Sequence, residues 1–500
     1  MKVIIIRLLA ITIVLSQLSC KKDYLTKTDP TRVSADLFYK DATQVEQAVN
    51  GVYSTLQPIA NDQWITNELP SDNTTIDFNP GDRGQSDRIE AFEFYTLNAN
   101  STNLNSSYIN YYSSISNINN TLAKMQDATG LSDSVKATNE GQLKFIRAYL
   151  YFELTQYYGD VVLITEPLKV PADAWNYLRV SQATVYAQIE ADLKDAVNDL
   201  PVKYQAGHIG RATKGAALSL LGKVYLTEKK YADAVTTLNQ VLPLGYDLNA
   251  EYADAFDPQK KNGIESVFEI QYDAGIDGEW SGFIYTFAPR LSKGAVTGWS
   301  QSNPGGWNIP TNDIINAFYP NDKRKDASVG LDFKSPVTNE TVPYIKKYAH
   351  THAVYGRTND NWPVLRYSDV LLMLAEAINE QGAPTTEAYT YLNKVRHRAG
   401  LTDAAGLDQQ SFRDTVAHER RVELAFENWR WFDLKRTMSP DQLTAFLNNY
   451  ASKEKATPTV TRQGVPYSNT DYVFSAYEAL FPIPANERIV NPKLTQNNGY

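Results

Sequence analysis

The stretch ALSLLGKVYLTEKKYADAVTTLNQVL, residues 217–242, decides the fold because it contains two apolar stripes separated by a short polar segment. The residues at helical spacing are Leu218, Leu221, Gly222 and Tyr225 before that segment, and Tyr231, Ala234, Leu238 and Val241 after it. Two amphipathic stripes joined by a short turn predict two helices that pack against each other as a hairpin. The small residues Gly222 and Ala234 would let the two helices approach closely.

Gly222 and Ala234 are also separated by the twelve residues that a tetratricopeptide unit requires, and the stretch resembles one such unit. A second pair of helical stretches, SDVLLMLAEAINEQG and TEAYTYLNKVRHRAG, places Ala375 and Ala388 thirteen residues apart, one residue more in the turn. Long insertions separate the two units. We therefore expect helical hairpins, at about 212–242 and 366–400, embedded in a larger helical domain rather than a regular solenoid.

Helical periodicity also covers residues 41–57, 141–160 and 185–201, and the last two segments end at Gly159 and Pro201. The pattern changes in two loop-rich insertions, about 62–100 and 250–347, where Gly, Pro, Asn and aromatic residues are frequent. Within the second insertion SVFEIQY alternates like a short strand. The fold class that we predict is mainly α, with short β-strands in the insertions. The aromatic content argues against disorder there, so we expect the insertions to carry function.

The composition and motifs exclude several functional classes. A net charge of -9 argues against nucleic-acid binding, because phosphate contacts need a basic surface. The sequence has no Gly-rich phosphate loop, HExxH or GxSxG motif, so we predict no enzymatic activity, no catalytic residue and no cofactor.

His350 and His352 lack a third metal ligand nearby and are interpreted as a surface pair. Asp72, Asp77 and Asp82 miss the EF-hand spacing, which leaves a calcium site open.

The one cysteine of the chain, Cys20, stands at the end of an apolar run. Lys2 and Arg7 precede this run and the small residue Ser19 comes directly before the cysteine, which is the layout of a secretory signal too short to span a bilayer. The pattern resembles a bacterial lipoprotein signal. It predicts a signal peptide at 1–19, an acylated Cys20 and a polar tether that continues to residue 38. Ordinary secretion with a chance cysteine is the alternative.

Several longer motifs follow one another in a fixed order along the chain. They are FYKDATQVEQAVNGVY, RAYLYFELTQYYGDVVLI, NWPVLRYSDVLLMLAEAINEQG, YLNKVRHRAGL, ERRVELAFENWRWFDLKR and LFPIPANERIVNPKLTQNNGY. Together they resemble the SusD/RagB family of nutrient-binding outer-membrane lipoproteins, over nearly the whole mature chain. The resemblance implies a single SusD-like domain at 39–500, exposed on the surface of a Bacteroidota-type cell. It also implies a partner, a TonB-dependent SusC-like barrel transporter.

The charged and aromatic residues of these motifs are expected to stabilise the fold rather than to bind a ligand. The charged residues that alternate through apolar helices are Arg366, Glu376, Arg420, Arg421, Glu423, Glu427, Arg430 and Asp433. They are expected to form ion pairs and caps that fix helix packing. Trp362, Trp429 and Trp431 are expected in the core.

Three functional classes fit these observations: a glycan-binding component of an importer, a surface glycoside hydrolase, and a peptide-binding or scaffolding protein. The first is favoured by the lipoprotein pattern, the family resemblance and the aromatic-rich insertions. The ligand is then a carbohydrate, and a sugar site needs flat apolar platforms with a few polar groups.

The second insertion has three tryptophans beside turn residues, and the first has short polar side chains. The predicted ligand-binding residues are Trp280, Trp299 and Trp307 as platforms, with Asp72, Asn73 and Arg83 as polar contacts. Asp72 also lies where an "SD" turn resembles a family segment near the ligand. Trp64 and Tyr344 are further candidates, and each tryptophan could instead anchor its loop to the helical body.

Overall fold

The computed structural model describes residues 39–500, without the side chains of residues 84–87 and 171. The α-helices are α1 (Ala42–Ser54), α2 (Leu56–Asn67), α3 (Arg83–Glu93), α4 (Thr102–Lys124), α5 (Asp133–Tyr158), α6 (Gln182–Asp199), α7 (Lys214–Thr227), α8 (Tyr231–Leu238), α9 (Phe283–Phe287), α10 (Gly294–Thr297), α11 (Asn312–Ala317), α12 (Lys323–Ser328), α13 (Tyr367–Asn379), α14 (Thr386–Arg398), α15 (Gln409–Glu423), α16 (Arg430–Thr437), α17 (Pro440–Ala456) and α18 (Ala485–Val490). The β-strands are β1 (Thr74–Thr75), β2 (Val161–Val162), β3 (Arg179–Val180), β4 (Ser266–Ile270), β5 (Ile309–Pro310), β6 (Val329–Gly330), β7 (Tyr344–Ile345) and β8 (Trp362–Arg366). The fold is mainly helical, as predicted. Cys20 and the expected signal and tether lie outside the described residues.

The hairpin predicted from residues 217–242 is formed by α7 and α8, which pack against each other. Gly222 faces α8 so closely that a Cβ atom placed on it would lie 2.4 Å from the side chain of Leu238. A side chain at this position would force Leu238 to move, which is the physical reason for glycine at this point of the hairpin. Thr213 caps the N-terminus of α7 by accepting a hydrogen bond from the backbone N–H of Ala216.

The second predicted hairpin is formed by α13 and α14, and α13 also packs against α8 of the first hairpin. Ala375 and Ala388, the two small residues of this pair, are both fully buried. The two hairpins are therefore stacked on each other although more than a hundred residues separate them in the sequence. On the other side α6 packs against both α5 and α7, which extends the helical layer.

The strand predicted from SVFEIQY is β4, and it pairs antiparallel with β8. Ser266 is opposite Arg366 and Ile270 is opposite Trp362, with irregular register between them. Because β8 runs directly into α13, this pairing attaches the first part of the second insertion to the helical core.

The charged residues of the C-terminal motifs form a buried ion network, as predicted. Arg366 lies 3.0 Å from Glu423 and 2.7 Å from Glu427, and all three side chains are almost completely buried. Arg420 lies 2.7 Å from Asp369 on α13. These contacts join β8, α13, α15 and the segment before α16. The three tryptophans expected in the core, Trp362, Trp429 and Trp431, are at most 5% exposed.

The two insertions contact each other through the short strands β1 and β5, in which Thr74 is opposite Pro310 and Thr75 is opposite Ile309. The first insertion contains more helix than its composition suggested, because α2 continues to Asn67 and α3 lies within it. The second insertion consists mostly of loops with short helices and strands. Between residues 39 and 500, no helix combines the length and apolar character needed to cross a membrane.

Candidate functional site

A cavity of about 480 Å³ lies between α2, α4 and the second insertion. Its apolar wall consists of Trp64, Ile65, Ile89, Trp280, Phe283 and Trp307. Its polar side chains are Asn61, Asp62, Thr66, Asn103, Ser106, Ser107 and Thr286. Broad aromatic surfaces beside several hydroxyl and amide groups are the combination that a sugar ring requires, since its faces present C–H groups and its edges present hydroxyls.

Trp280 is partly exposed and is held in place by Arg357. The guanidinium carbon of Arg357 lies 4.1 Å from the centre of the indole ring. The same guanidinium group makes an ion pair of 2.9 Å with Asp277, in the loop just before Trp280. Stacking on a cation fixes the plane of the ring and leaves the rest of the indole available to the cavity.

Trp307 is also partly exposed, and its loop is fixed by backbone contacts with α9. The backbone N–H of Trp307 donates to the carbonyl of Thr286 at 3.0 Å. The indole lies directly over Gly305, where a Cβ atom would be 1.8 Å from the ring nitrogen. This close approach requires glycine at position 305.

The Trp307 loop is also attached to the first insertion through Asp77. The backbone N–H of Asp77 donates to the carbonyl of Gly306 at 2.8 Å. Its carboxylate accepts a hydrogen bond of 3.0 Å from the backbone N–H of Arg290. Burial raises the pKa of Asp77 to about 6, although Arg290 acts in the opposite direction. These contacts hold the platform at a junction of the two insertions.

Trp299 is not part of this cavity but of a separate aromatic cluster. Its ring centre lies 6.0 Å from His352 and 6.1 Å from Tyr355, and Tyr285 contacts both of these residues. The hydroxyl of Tyr285 is 2.5 Å from Nε2 of His352. Trp299 is partly exposed and Tyr355 is 47% exposed, so the cluster offers aromatic surface to solvent. Tyr355 and Arg357 belong to one loop, which therefore contacts both Trp299 and Trp280.

Asp72 and Asn73, predicted as polar contacts, are placed in the protein interior instead. Both are fully buried. The Asp72 carboxylate pairs with Arg421 at 2.9 Å and with Arg430 at 2.7 Å, and the amide oxygen of Asn73 accepts from Arg421 at 3.0 Å. Burial opposes ionisation of Asp72, but the two arginines lower its pKa to about 2. These residues attach the first insertion to α15 and α16, and they do not line the cavity.

Arg83 does not line the cavity either. It pairs with the buried Glu90 on its own helix α3, and its guanidinium carbon lies 4.8 Å from the ring centre of Phe78. Of the two further candidates, Trp64 lines the cavity and contacts Phe287 edge to face. Tyr344 is buried elsewhere and donates a hydrogen bond to Asp332.

The residues considered for a metal take other partners. His350 pairs with Asp360, and His352 contacts Tyr285. Among the described residues there is no group of three His, Cys, Asp or Glu side chains arranged to hold a metal ion.

The polar side of the cavity was not predicted from the sequence. Asn61 and Asp62 lie on α2, and Asn103, Ser106 and Ser107 lie on the first turns of α4. The run of Asn and Ser residues at 103–107 is the one local signal, and it is equally typical of any solvated helix start. No local pattern shows that these two helices meet the loops of Trp280 and Trp307.

The chain is similar to known families and to solved structures. Residues 327–500 match the model of a family described as "SusD family", and residues 23–226 match one described as "Starch-binding associating with outer membrane". A curated relative, SusD-like protein P25 of Formosa agariphila, is 26% identical and the alignment covers 98% of each chain. Surface glycan-binding protein A of Bacteroides uniformis has a similar structure, with a TM-score of 0.75, 24% identity, and coverage of 91% of this chain and 99% of that one. A structure described as "Laminarin binding SusD-like protein" has a TM-score of 0.75 and 24% identity, and covers 92% of this chain and 100% of that one.

Proposed function

The chain belongs to the SusD/RagB family, and on that premise we propose that it is a cell-surface glycan-binding protein that captures oligosaccharides and delivers them to a barrel transporter. The observation that carries the proposal is the cavity in which Trp64, Trp280 and Trp307 face a set of polar side chains, all of them uncharged except Asp62. Two relatives by fold are described as glycan-binding or laminarin-binding proteins, which supports the choice of a carbohydrate over other ligands.

The geometry of the cavity suits a sugar better than an extended peptide. A sugar ring stacks its C–H face on an indole and places hydroxyl groups at the edge, where Asn and Ser side chains can donate and accept hydrogen bonds. Both partly exposed tryptophans are fixed before any ligand arrives, Trp280 by Arg357 and Trp307 by the backbone of α9. A rigid platform loses little conformational entropy on binding.

The cluster around Trp299 provides a second aromatic surface beyond the cavity. The loop that carries Tyr355 and Arg357 contacts Trp299 with one residue and Trp280 with the other. We propose that a glycan longer than the cavity continues along this loop and stacks on Trp299. All three predicted platform residues then contact one chain of sugar units, although they do not line one cavity.

The cavity itself does not support the glycoside hydrolase alternative. A glycosidase uses two carboxyl groups on opposite sides of the scissile bond. Among the described residues that line the cavity, Asp62 is the one carboxylate. We therefore propose that the protein binds glycans without cleaving them, and product analysis of incubated oligosaccharides would detect any turnover.

The lipid anchor and the transporter complete the proposal. Acylation of Cys20 would hold the protein at the outer membrane, because several acyl chains together give stable attachment. The tether to residue 38 would allow the body to move relative to a SusC-like TonB-dependent barrel. If this is right, mild detergent extraction and a tagged pull-down recover a barrel membrane protein with the chain. Repeated recovery of the chain alone, under conditions that keep outer-membrane complexes intact, would contradict the partnership.

The site is tested with a soluble form that lacks residues 1–20, screened by calorimetry against neutral and charged glycans and against peptides. Trp280→Ala and Trp307→Ala should each weaken binding of the glycan about tenfold or more, because burial of one ring contributes roughly 1.5–3 kcal/mol. Circular dichroism checks that each variant is folded.

Trp175→Ala is the matched control. Trp175 is 52% exposed and lines a different, mostly apolar groove of about 330 Å³ beside α4. This variant should bind as the wild type does. Wild-type affinity in both the Trp280 and the Trp307 variants would refute the site, and a loss confined to Trp175→Ala would place the ligand in the other groove. Binding of peptides and of no glycan would favour the scaffolding alternative.

A further inference from the structure

The charge of the cavity has a consequence for the kind of glycan that it can hold. Among the described residues that line it, Asp62 is the one ionisable side chain. Asp62 lies on α2 at the exposed rim, and no hydrogen bond or ion pair with a described side chain engages its carboxylate. The surrounding protein raises its pKa by desolvation even though solvent reaches the side chain. A carboxylate in this position is available to accept hydrogen bonds from a ligand.

Two arginines adjoin residues of the cavity, Arg357 beside Trp280 and Arg88 next to Ile89 in the sequence, and both have partners. Arg357 stacks on Trp280 and pairs with Asp277. Arg88 donates to the hydroxyl of Thr102 at 3.4 Å, and Thr102 lines a separate small pocket at the start of α4. The described lining of the cavity therefore contains no positive charge that could balance an anionic group on a ligand.

Asn61, the residue before Asp62, provides the complementary hydrogen-bonding group. Its side-chain oxygen accepts a hydrogen bond of 3.2 Å from the hydroxyl of Tyr272, which leaves the amide nitrogen as a donor. Asn61 and Asp62 thus offer a donor and an acceptor side by side at the rim. Neighbouring hydroxyl groups of a sugar can satisfy both at once, because each hydroxyl donates one hydrogen bond and accepts others.

We infer that the site selects uncharged glycans, and that Asp62 is the residue that excludes glycans carrying carboxylate or sulfate groups. This inference rests on the proposed glycan-binding function. Sugar hydroxyls donate to the Asp62 carboxylate, whereas an anionic substituent meets a like charge in a cavity whose described lining contains no cation. The repulsion acts at an exposed rim, so dissolved salt should weaken it.

The test uses calorimetry to compare the affinities of paired ligands for the soluble form that lacks residues 1–20. Laminarin, galactomannan and agar oligosaccharides are each compared with their chemically sulfated derivatives, at low and at high sodium chloride. Wild-type protein should prefer the uncharged member of a pair by about tenfold at low salt and by less at high salt. Asp62→Asn should weaken binding of the uncharged member a few-fold and strengthen binding of the sulfated member, which reduces the preference to about twofold. Asp195 is an exposed residue on α6, and Asp195→Asn should change the affinity for neither member of a pair.

Equal or tighter binding of the sulfated members by wild-type protein would overturn the inference and leave the glycan-binding function intact. An unchanged preference in Asp62→Asn would also overturn it, because the selectivity would then come from another residue. Absence of binding to any glycan, charged or uncharged, would remove the proposed function and the inference with it.

Discussion

Replacing Glu423 with glutamine removes one negative charge from the middle of the buried ion network that joins β8, α14, α15 and α12. The carboxylate lies 3.1 Å from Arg324, 3.0 Å from Arg366 and 2.5 Å from Arg398, and the Glu423 side chain is fully buried. Glutamine keeps the shape and one acceptor, but three guanidinium groups lose a counter-charge in an interior that water does not reach. Breaking a buried pair in this way costs about 3–5 kcal/mol of unfolding free energy.

The expected change in melting temperature follows from the size of the folded body. Roughly 460 residues at about 2.1 cal/mol/K each give an unfolding entropy on the order of 1 kcal/mol/K. A loss of about 4 kcal/mol therefore lowers the melting temperature by about 4 °C. Urea titration followed by tryptophan fluorescence measures the free energy, and scanning calorimetry measures the temperature. Glu340→Gln, at an exposed loop position, is the matched control and should change both by little.

The pH dependence separates a charge effect from a packing effect. Burial disfavours the ionised form of Glu423, but Arg398, Arg366 and Arg324 lower its pKa well below the ordinary 4.5. The stabilisation is therefore present above pH 4.5 and is lost as the pH falls below it. The difference between wild type and Glu423→Gln should shrink in the same range. A loss below about 1 kcal/mol at neutral pH, or a difference that does not change with pH, would refute the role assigned to this network.

Three further outcomes are expected. Gly222→Ala should lower the unfolding free energy by about 1–3 kcal/mol, because the added methyl group overpacks against Leu238. Adding Leu238→Ala should recover part of this loss. If the losses of the two substitutions were simply additive, the close helix contact would be contradicted. Burial raises the pKa of Glu93 to about 8, although Thr75 and Tyr472 donate hydrogen bonds to its carboxylate. The contribution of Glu93 to stability is therefore present below pH 4.5 and is lost as the pH rises from 4.5 to about 8. In urea titrations, the unfolding free energy of Glu93→Gln should decline less over this pH range than that of the wild type. An equal decline in both proteins would assign it to other groups. Cys20→Ala should abolish acylation and release the protein from membranes, and a variant that stays in the membrane fraction after a salt wash that strips the barrel partner would exclude the anchor.

The helical body could be predicted from the sequence because each helix carries its own signal. The stripe of apolar residues in 217–242, with glycine and alanine at the contact points, defines α7 and α8 without reference to the rest of the chain. Alternating charges on apolar helices likewise indicated the ion network of Arg366 and Glu423, since a charge that must be buried needs a partner.

The residues that line the proposed site were harder to predict, because side chains of the same kind serve different purposes in different surroundings. Asp72 and Asn73 are short polar residues in a loop, as a sugar site requires. They are nevertheless buried, because they bind Arg421 and Arg430, which lie about 350 positions later in the sequence. Trp280 and Trp307 line the cavity, whereas Trp299 lies in a separate aromatic cluster. Nothing in the local sequence distinguishes these outcomes.

The sequence by itself determined the helices, the small residues at their contacts and the family to which the chain belongs, because periodicity and ordered motifs are local properties. The tertiary structure alone decided that Asp62 and Trp64 on α2, and Ser106 on α4, face Trp280 and Trp307 across one cavity. Elements more than two hundred residues apart meet there through burial of apolar surface and through backbone contacts such as that between Asp77 and Gly306. Such contacts depend on the whole packed chain, and no short stretch of sequence encodes them.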